Sequence, residues 1–340
     1  MRTRSPLFAL PAVAILLAAA AGGYWVWWAG QIERGIAQWR DYERLQGYEI
    51  SYGGPAIDGF PLAHVARFDA PMIQWPTGAR WQGPELVARA PLWDPRTIAV
   101  SFAGRHAVKH LNAGRVNSVT LDSRDAMGLL RLRSDGRLES ADATLQGLEV
   151  LAAPLGHFAS RGVHLWLAPD YGHESGSELG FAFRLETSEL RFPARLAAPL
   201  DPTAERIAAA GRLDGVFPET EPRLALAAWR DGGGALDLER VEVEWPPLGV
   251  TASGRLTLDA QLRPQGQLAA RIAGLPELLD RLGERGRMTA EQVSNIKLAV
   301  LAFAGEPDAK GRPVLAAPII FRDGILYLGP LPLARISPVL

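Results

Sequence analysis

The 340-residue chain contains no cysteine. That absence excludes disulfide staples, thiolate metal sites and a cysteine nucleophile together. It also lacks an excess of either charge: 36 basic residues face 37 acidic ones, for a formal net charge of −1. A protein held to nucleic acid by phosphate contacts carries a basic surplus, so nucleic acid is not an expected partner. Long apolar runs are scarce, which excludes a multi-span transporter. No Gly-x-Ser-x-Gly elbow, Walker A loop or Rossmann glycine pattern occurs. Disorder is excluded in turn, because 48% of the residues are hydrophobic and only 21% charged.

Glycine and proline are abundant, at 35 and 26 residues, above their usual combined share of ~12%. They are spread along the chain, as turns between many short strands require. A length of about 150 residues per domain gives two domains or one large β domain.

The N-terminus carries the strongest local signal. Arg2 and Arg4 precede an uncharged apolar run, Leu7 to Trp28. A helix of that length, rising ~1.5 Å per residue, spans the ~30 Å hydrocarbon core of a bilayer. Tyr24, Trp25, Trp27 and Trp28 close the run as an aromatic belt would at a membrane interface. A cleaved secretory signal is the alternative, with Ala18 to Ala21 as the small residues. The run continues past those alanines, so a retained anchor is the preferred reading. The basic residues predict a cytoplasmic N-terminus, and hence a single-pass inner-membrane protein with a periplasmic body.

The expected organisation is therefore an anchor over residues 1–28, a juxtamembrane helix over 29–46 and a β-rich body over 47–340. In the juxtamembrane segment, Ile32, Ile36, Trp39 and Leu45 share a helical stripe and Gly47 ends it. The stripe has two possible seats, the lipid surface or the body. A break near Arg195–Asp201 divides the body into possible lobes 47–198 and 199–340.

From Tyr48 onward the apolar period is two. Alternation marks strands at Thr97–Phe102, Arg115–Leu121, Leu129–Arg133, Gly162–Ala168, Leu179–Leu185, Arg223–Arg230 and Leu236–Trp245. The longest runs from Val250 to Arg263. At Arg240 the pattern slips by one residue, which predicts a bulge. Asp231-Gly232-Gly233-Gly234 reads as a hairpin tip. Helices are predicted from Asp201 to Ala210, from Pro276 to Leu282, and after a Thr289/Gln292 capping box. The last two form a helical hairpin, followed by a mobile loop, Gly305 to Arg312, and a β-hairpin around Arg322-Asp323-Gly324. The fold class is mainly β (α+β), an extended, curved, antiparallel sheet or sandwich with a few packed helices.

Several short motifs follow one another along this frame: Gly47-Tyr48, Ile57-Asp58-Gly59-Phe60-Pro61, Trp93-Asp94-Pro95-Arg96, Gly274-Leu275-Pro276-Glu277-Leu278-Leu279 and the Arg322–Pro330 segment. With the Trp-rich anchor they resemble the bacterial family labelled domain of unknown function 2125. That resemblance covers nearly the whole chain and implies no catalytic residue. The one-sided strands are more distantly similar to AsmA-type envelope proteins, which implies an apolar interior and a role in lipid handling.

The motifs themselves read as structural. Gly59 and Pro61 set a turn, with Phe60 as a plug into the core. Asp94 and Pro95 start another turn, against which Trp93 packs. His106 and His110 share a face on a strand, ~13 Å apart and too far to share a metal. His173-Glu174 begins like a zinc-protease motif, but Ser177 stands where the second histidine belongs. No cofactor or metal is expected. The sequence leaves three functions: a non-enzymatic anchored protein binding lipid or another apolar molecule on its sheet, a closed-core scaffold for envelope assembly, or, least favoured, an exported hydrolase.

Overall fold

The computed structural model describes residues 9–112, 115–171, 178–215 and 222–339. Arg2, Arg4 and the start of the apolar run lie outside the described residues, as do His173, Glu174 and Ser177. The protein is mainly β, and every described strand pair is antiparallel. Two compact units contain it. The first holds the residues up to Leu121 together with Asp125–Arg137, and the second holds Asp122–Arg124 and everything from Leu138. The segment 195–201 falls inside the second unit.

The first unit opens with α1, Ala9–Leu45, one helix of 37 residues. Gly47 stops it at φ +88°, donating its N–H to the Arg44 carbonyl. Among the described residues no helix is long and apolar enough to cross a membrane. Then follow β1 (Glu49–Asp58), β2 (Ala63–Gln74), β3 (Arg80–Gln82), β4 (Leu86–Pro91), β5 (Thr97–Ser101), β6 (Gly104–Asn112) and β7 (Arg115–Leu132). β2 is the hub, pairing with β1, β3 and β4, while β5 joins β4 to β7 and β6 lies beside β3.

The second unit is a meander with helical interruptions. Its elements are β8 (Leu138–Ala152), β9 (Gly156–Tyr171), β10 (Glu178–Arg191), α2 (Ala194–Ala197), β11 (Thr203–Asp214), α3 (Pro222–Asp231), β12 (Ala235–Trp245), β13 (Leu248–Leu258), β14 (Pro264–Ala273), α4 (Leu275–Glu284), α5 (Ala290–Phe303), β15 (Ala304–Gly305), β16 (Val314–Arg322), β17 (Ile325–Leu328) and β18 (Leu331–Arg335). Strands β8 to β14 pair in sequence order, and β16, β17 and β18 continue from β14. The buried centre is Ala252, Leu268, Ala270 and Ile272, flanked by Val250, Leu256 and Ile319.

Three expectations exchange state. The predicted helix from Asp201 to Ala210 is strand β11. Its alanines hid a period of two, in which Ile207, Ala209 and Leu213 alternate with Arg206, Ala208 and Arg212, and β10 and β12 supply ladder partners on both sides. Conversely, the predicted strand Arg223–Arg230 is helix α3. Ala225 and Trp229, one helical turn apart, are its buried residues, and the alanine–leucine run favours helix. The predicted hairpin tip at Asp231–Gly234 is consequently the end of α3, where Gly232 and Gly234 donate to the Ala228 and Trp229 carbonyls.

The long strand from Val250 stops at Leu258. Asp259 accepts hydrogen bonds from the backbone N–H groups of Gln261 and Arg263, and this turn cuts the ladder although the alternation runs on. The bulge lies where it was read: Ala210 faces Arg240 and Gly211 faces Leu238, so Glu239 is skipped. The α4–α5 hairpin and its capping box also form, with Thr289 and Gln292 each bonding the other's backbone. The Gly305–Arg312 loop is tied down at both ends of its turn. Lys310 bridges Glu205 and Glu244, and Arg312 reaches Asp308 and Glu244.

Candidate functional site

The register of the second unit sorts its side chains into two faces. Residues opposite one another in an antiparallel pair share a face. One row runs Ala143, Leu165, Leu185, Ala209, Val241, Ala252, Ala270, Ala317 through eight strands without a polar residue. A parallel row runs from Leu145 through Val163, Ile207, Val243 and Val250 to Ile272 and Leu315, broken only by Thr187. A third contains Leu167, Phe183, Leu238, Leu268 and Ile319. The bulge at Glu239 keeps β12 in phase with these rows, since without it Leu236 and Leu238 would face opposite to Val241 and Val243.

Two glycines let the rows close up. A Cβ on Gly254 would lie 2.3 Å from the Gln267 carbonyl oxygen, and one on Gly211 2.1 Å from that of Asp237. Neither position admits a side chain, and the backbones approach closely there.

The opposite face is charged and internally paired. Arg206 reaches Glu186 at 2.8 Å and Glu242 at 3.1 Å, Arg255 reaches Asp237 at 2.9 Å, and His164 contacts Asp142 at 2.8 Å. Arg184 lies over the Trp166 ring. Most of these groups are half-exposed, so each pair contributes no more than about 1 kcal/mol. Their effect is to make one face wet and leave the other dry.

The dry face is not uniformly closed. At β13 and β14 its residues are buried: Ala252, Leu268, Ala270 and Ile272 all lie below 10% exposure. Over β8 to β12, Leu145, Val163, Leu165, Leu185, Ile207 and Val241 are only partly buried. Among the described residues no large side chain is less than 2% exposed. A row across eight strands, at ~4.8 Å per strand, measures about 34 Å. An acyl chain spans half a bilayer core, about 15 Å, so the face is long enough for a whole chain.

A second apolar feature belongs to the first unit. Tyr24, Trp28, Ile32 and Ile36 recur every four residues along one stripe of α1. Together with Ala66, Ala88 and other residues of the sheet they line a partly open cavity of about 240 Å³. Trp25 fastens the helix beside it: the indole Nε1–H donates to the Ala63 carbonyl at 2.8 Å, and the ring stacks on buried His64 at 5.2 Å. Of the two seats open to the juxtamembrane stripe, Ile32 and Ile36 occupy the body, whereas Trp39 and Leu45 are 48% and 85% exposed.

The sequence-predicted residues distribute as follows. Gly59 makes its turn at φ +95°, where a Cβ would meet the Ala63 carbonyl oxygen at 2.8 Å. Phe60 is not a core plug. It is 58% exposed and lies edge-on to Trp25 at 5.7 Å, because the turn delivers it to the helix rather than into the sheet. Pro61 completes that turn. Trp93 does not pack either, being 75% exposed, although Asp94 makes the expected turn by accepting from Thr97 N–H. Tyr24 and Trp27 are exposed and stacked, whereas Trp25 and Trp28 are engaged with the body. His106 lies on a strand, stacked on Trp81 with its Nε2 at 2.7 Å from the Phe102 carbonyl oxygen. Among the described residues no group of three His, Asp or Glu side chains converges as metal ligands do. The apolar rows escaped the sequence reading because alternation shows that a strand has a dry side, not which strands place their dry sides together.

No curated protein and no solved structure matches the chain. One family model does, over residues 25–337, and its span takes in both units and the aromatic end of the N-terminal run. The chain therefore belongs to the bacterial family described as "Uncharacterized protein conserved in bacteria (DUF2125)".

Proposed function

We propose that the protein is a non-enzymatic, membrane-anchored component of the bacterial cell envelope that binds a lipid or similar apolar molecule on the dry face of its second unit. In this reading the run from Leu7 to Trp28 is a retained inner-membrane anchor, the N-terminus is cytoplasmic and the body is periplasmic. The carrying observation is the set of apolar rows that cross β8 to β16 and are only partly buried over β8 to β12. Apolar surface of that extent is normally buried against a second layer or a ligand. Each methylene laid on it contributes up to about 0.8 kcal/mol. The paired charges on the reverse face keep that side in water.

Native mass spectrometry of the detergent-purified protein tests this. Co-purifying lipid is expected on the wild type, its stoichiometry lowered in Leu185→Glu and Val241→Glu and unchanged in Arg206→Ala on the charged face. A wild type free of lipid adducts, or adducts indifferent to the apolar-face substitutions in variants with wild-type circular dichroism, would reject the reading. A closed-core scaffold would give the first of these results.

A further inference from the structure

The cavity beneath α1 is lined by residues of the first unit, and we propose that it is a second lipid site, which takes the acyl chain of a membrane phospholipid. This inference rests on the anchor reading above. The wall is apolar from both sides: Tyr24, Trp28, Ile32 and Ile36 from the helix, and residues such as Ala66 and Ala88 from the sheet. Its polar exception, His64, already has its Nε2 within 3.3 Å of the Trp25 carbonyl oxygen and its ring stacked on the Trp25 indole. No charged side chain lines the space, so a hydrated metabolite or an ion would lose its water there without compensation.

Size agrees with a chain segment. An apolar cavity of about 150 Å³ stays dry and takes a benzene ring. The present one, at about 240 Å³, has room for several methylenes but not for a headgroup as well. Small residues make the room: Ala66, Ala88 and Ala90 face the helix where larger side chains would fill the gap.

Position identifies the source of the chain. The cavity begins at Tyr24 and Trp28, two of the four aromatic residues that end the uncharged N-terminal run. Tyr24, which also borders the cavity, and Trp27 are 51% and 53% exposed and stack on each other at the same level. Exposed amphipathic rings of this kind settle at the headgroup level of a bilayer. A chain leaving the adjacent leaflet there meets the apolar gap directly, while its headgroup stays among the aromatic rings.

The full chain, reconstituted into phosphatidylcholine vesicles carrying a diazirine on one acyl chain, provides the test. After irradiation, peptides from Ala63–Gln74 and Leu86–Pro91 are expected to carry the label. Ala88→Phe, which fills the gap, is expected to lower that labelling by about tenfold. Label on the apolar face of β9 to β12 is scored separately and reports the first site. Ala90→Leu, with a smaller added volume, serves as the second variant, and an unchanged melting temperature certifies both. Protein that incorporates into vesicles but leaves the β2 and β4 peptides unlabelled, or labels them equally in both folded variants, overturns the acyl-chain site and leaves the anchor intact. Protein that floats free of the vesicles overturns the anchor itself.

Discussion

At Asp259 and Asp308 the same local chemistry closes two loops. Each carboxylate accepts the backbone N–H two and four residues on and the Nε–H of an arginine four residues on, Arg263 or Arg312. For Asp259, burial pushes the carboxyl upward, but the Arg263 and Gln261 hydrogen bonds outweigh it and hold the group below its ordinary range. For Asp308 the Arg312 guanidinium is the leading cause of the same downward shift. A group whose folded pKa is depressed adds stability above its unfolded value, near 3.9, and loses it as pH falls through the folded value. Urea midpoints should therefore hold from neutral pH to about 5 and fall below about 4. The Asp259→Asn, Asp308→Asn double variant should start lower and decline less. Parallel pH profiles for variant and wild type would remove these carboxylates from the account.

The two loops differ at their fourth residue, where the backbone is left-handed. Gly311 takes φ +76° without cost, whereas Leu262 sits at φ +59° and is 4% exposed. Relieving the backbone by Leu262→Gly gains about 1–2 kcal/mol, but truncating a buried leucine costs about 2–5 kcal/mol. Cavity formation wins, and chemical denaturation should show a net loss of stability in this variant. A more stable Leu262→Gly would mean that strain, not packing, dominates there.

Among the elements, α5 shows how far a cap can be trusted. Its Thr289/Gln292 pair was legible from four letters because a capping box is a local device that satisfies two orphan N–H groups. Thr289→Ala should cost about 1 kcal/mol and speed hydrogen exchange in the first turn of α5 while leaving α4 unchanged. Equal exchange in wild type and variant would show that packing alone holds the turn. Strand β11 and helix α3 show the opposite case. Alanine favours helix, so Ala208-Ala209-Ala210 forms a strand against its propensity, whereas Ala227-Ala228 follows its propensity into a helix that apparent alternation had masked. Neighbours hold each in place: two flanking strands in one case, and in the other the Trp229 indole, which donates to the Asp214 carbonyl at 2.7 Å.

For the whole molecule, the N-terminal run sets location and the sheet sets cargo, in the proposed reading. If the anchor is retained, the intact mass of protein extracted from membranes should include residues 1–28, and deletion of those residues behind an export signal should release a soluble body. A mature mass beginning after Ala21 would instead establish a cleaved signal. Removing Trp25 tests how the helix is held to its unit. Trp25→Phe keeps the ring but loses the hydrogen bond to the Ala63 carbonyl, at a cost of about 1 kcal/mol. Trp25→Ala also abolishes the stack on His64, and should increase exchange at Ala63–Ala66 more strongly than Trp25→Phe does.

The sequence by itself determined what depends on near neighbours along the chain: the one-sided strands, the Arg240 slip, the stop at Gly47, the capping box and the turn at Gly59. It also determined the family, through motifs spread from the aromatic run to the last hairpin. Only the tertiary structure decided where Phe60 and Trp93 point, which way the alanine-rich segments fold, and that the dry sides of strands far apart in sequence form common rows. The reason is physical. A strand's own alternation fixes its two faces, but whether those faces meet those of its neighbours depends on register, and register is set by bulges and turns between segments rather than within them.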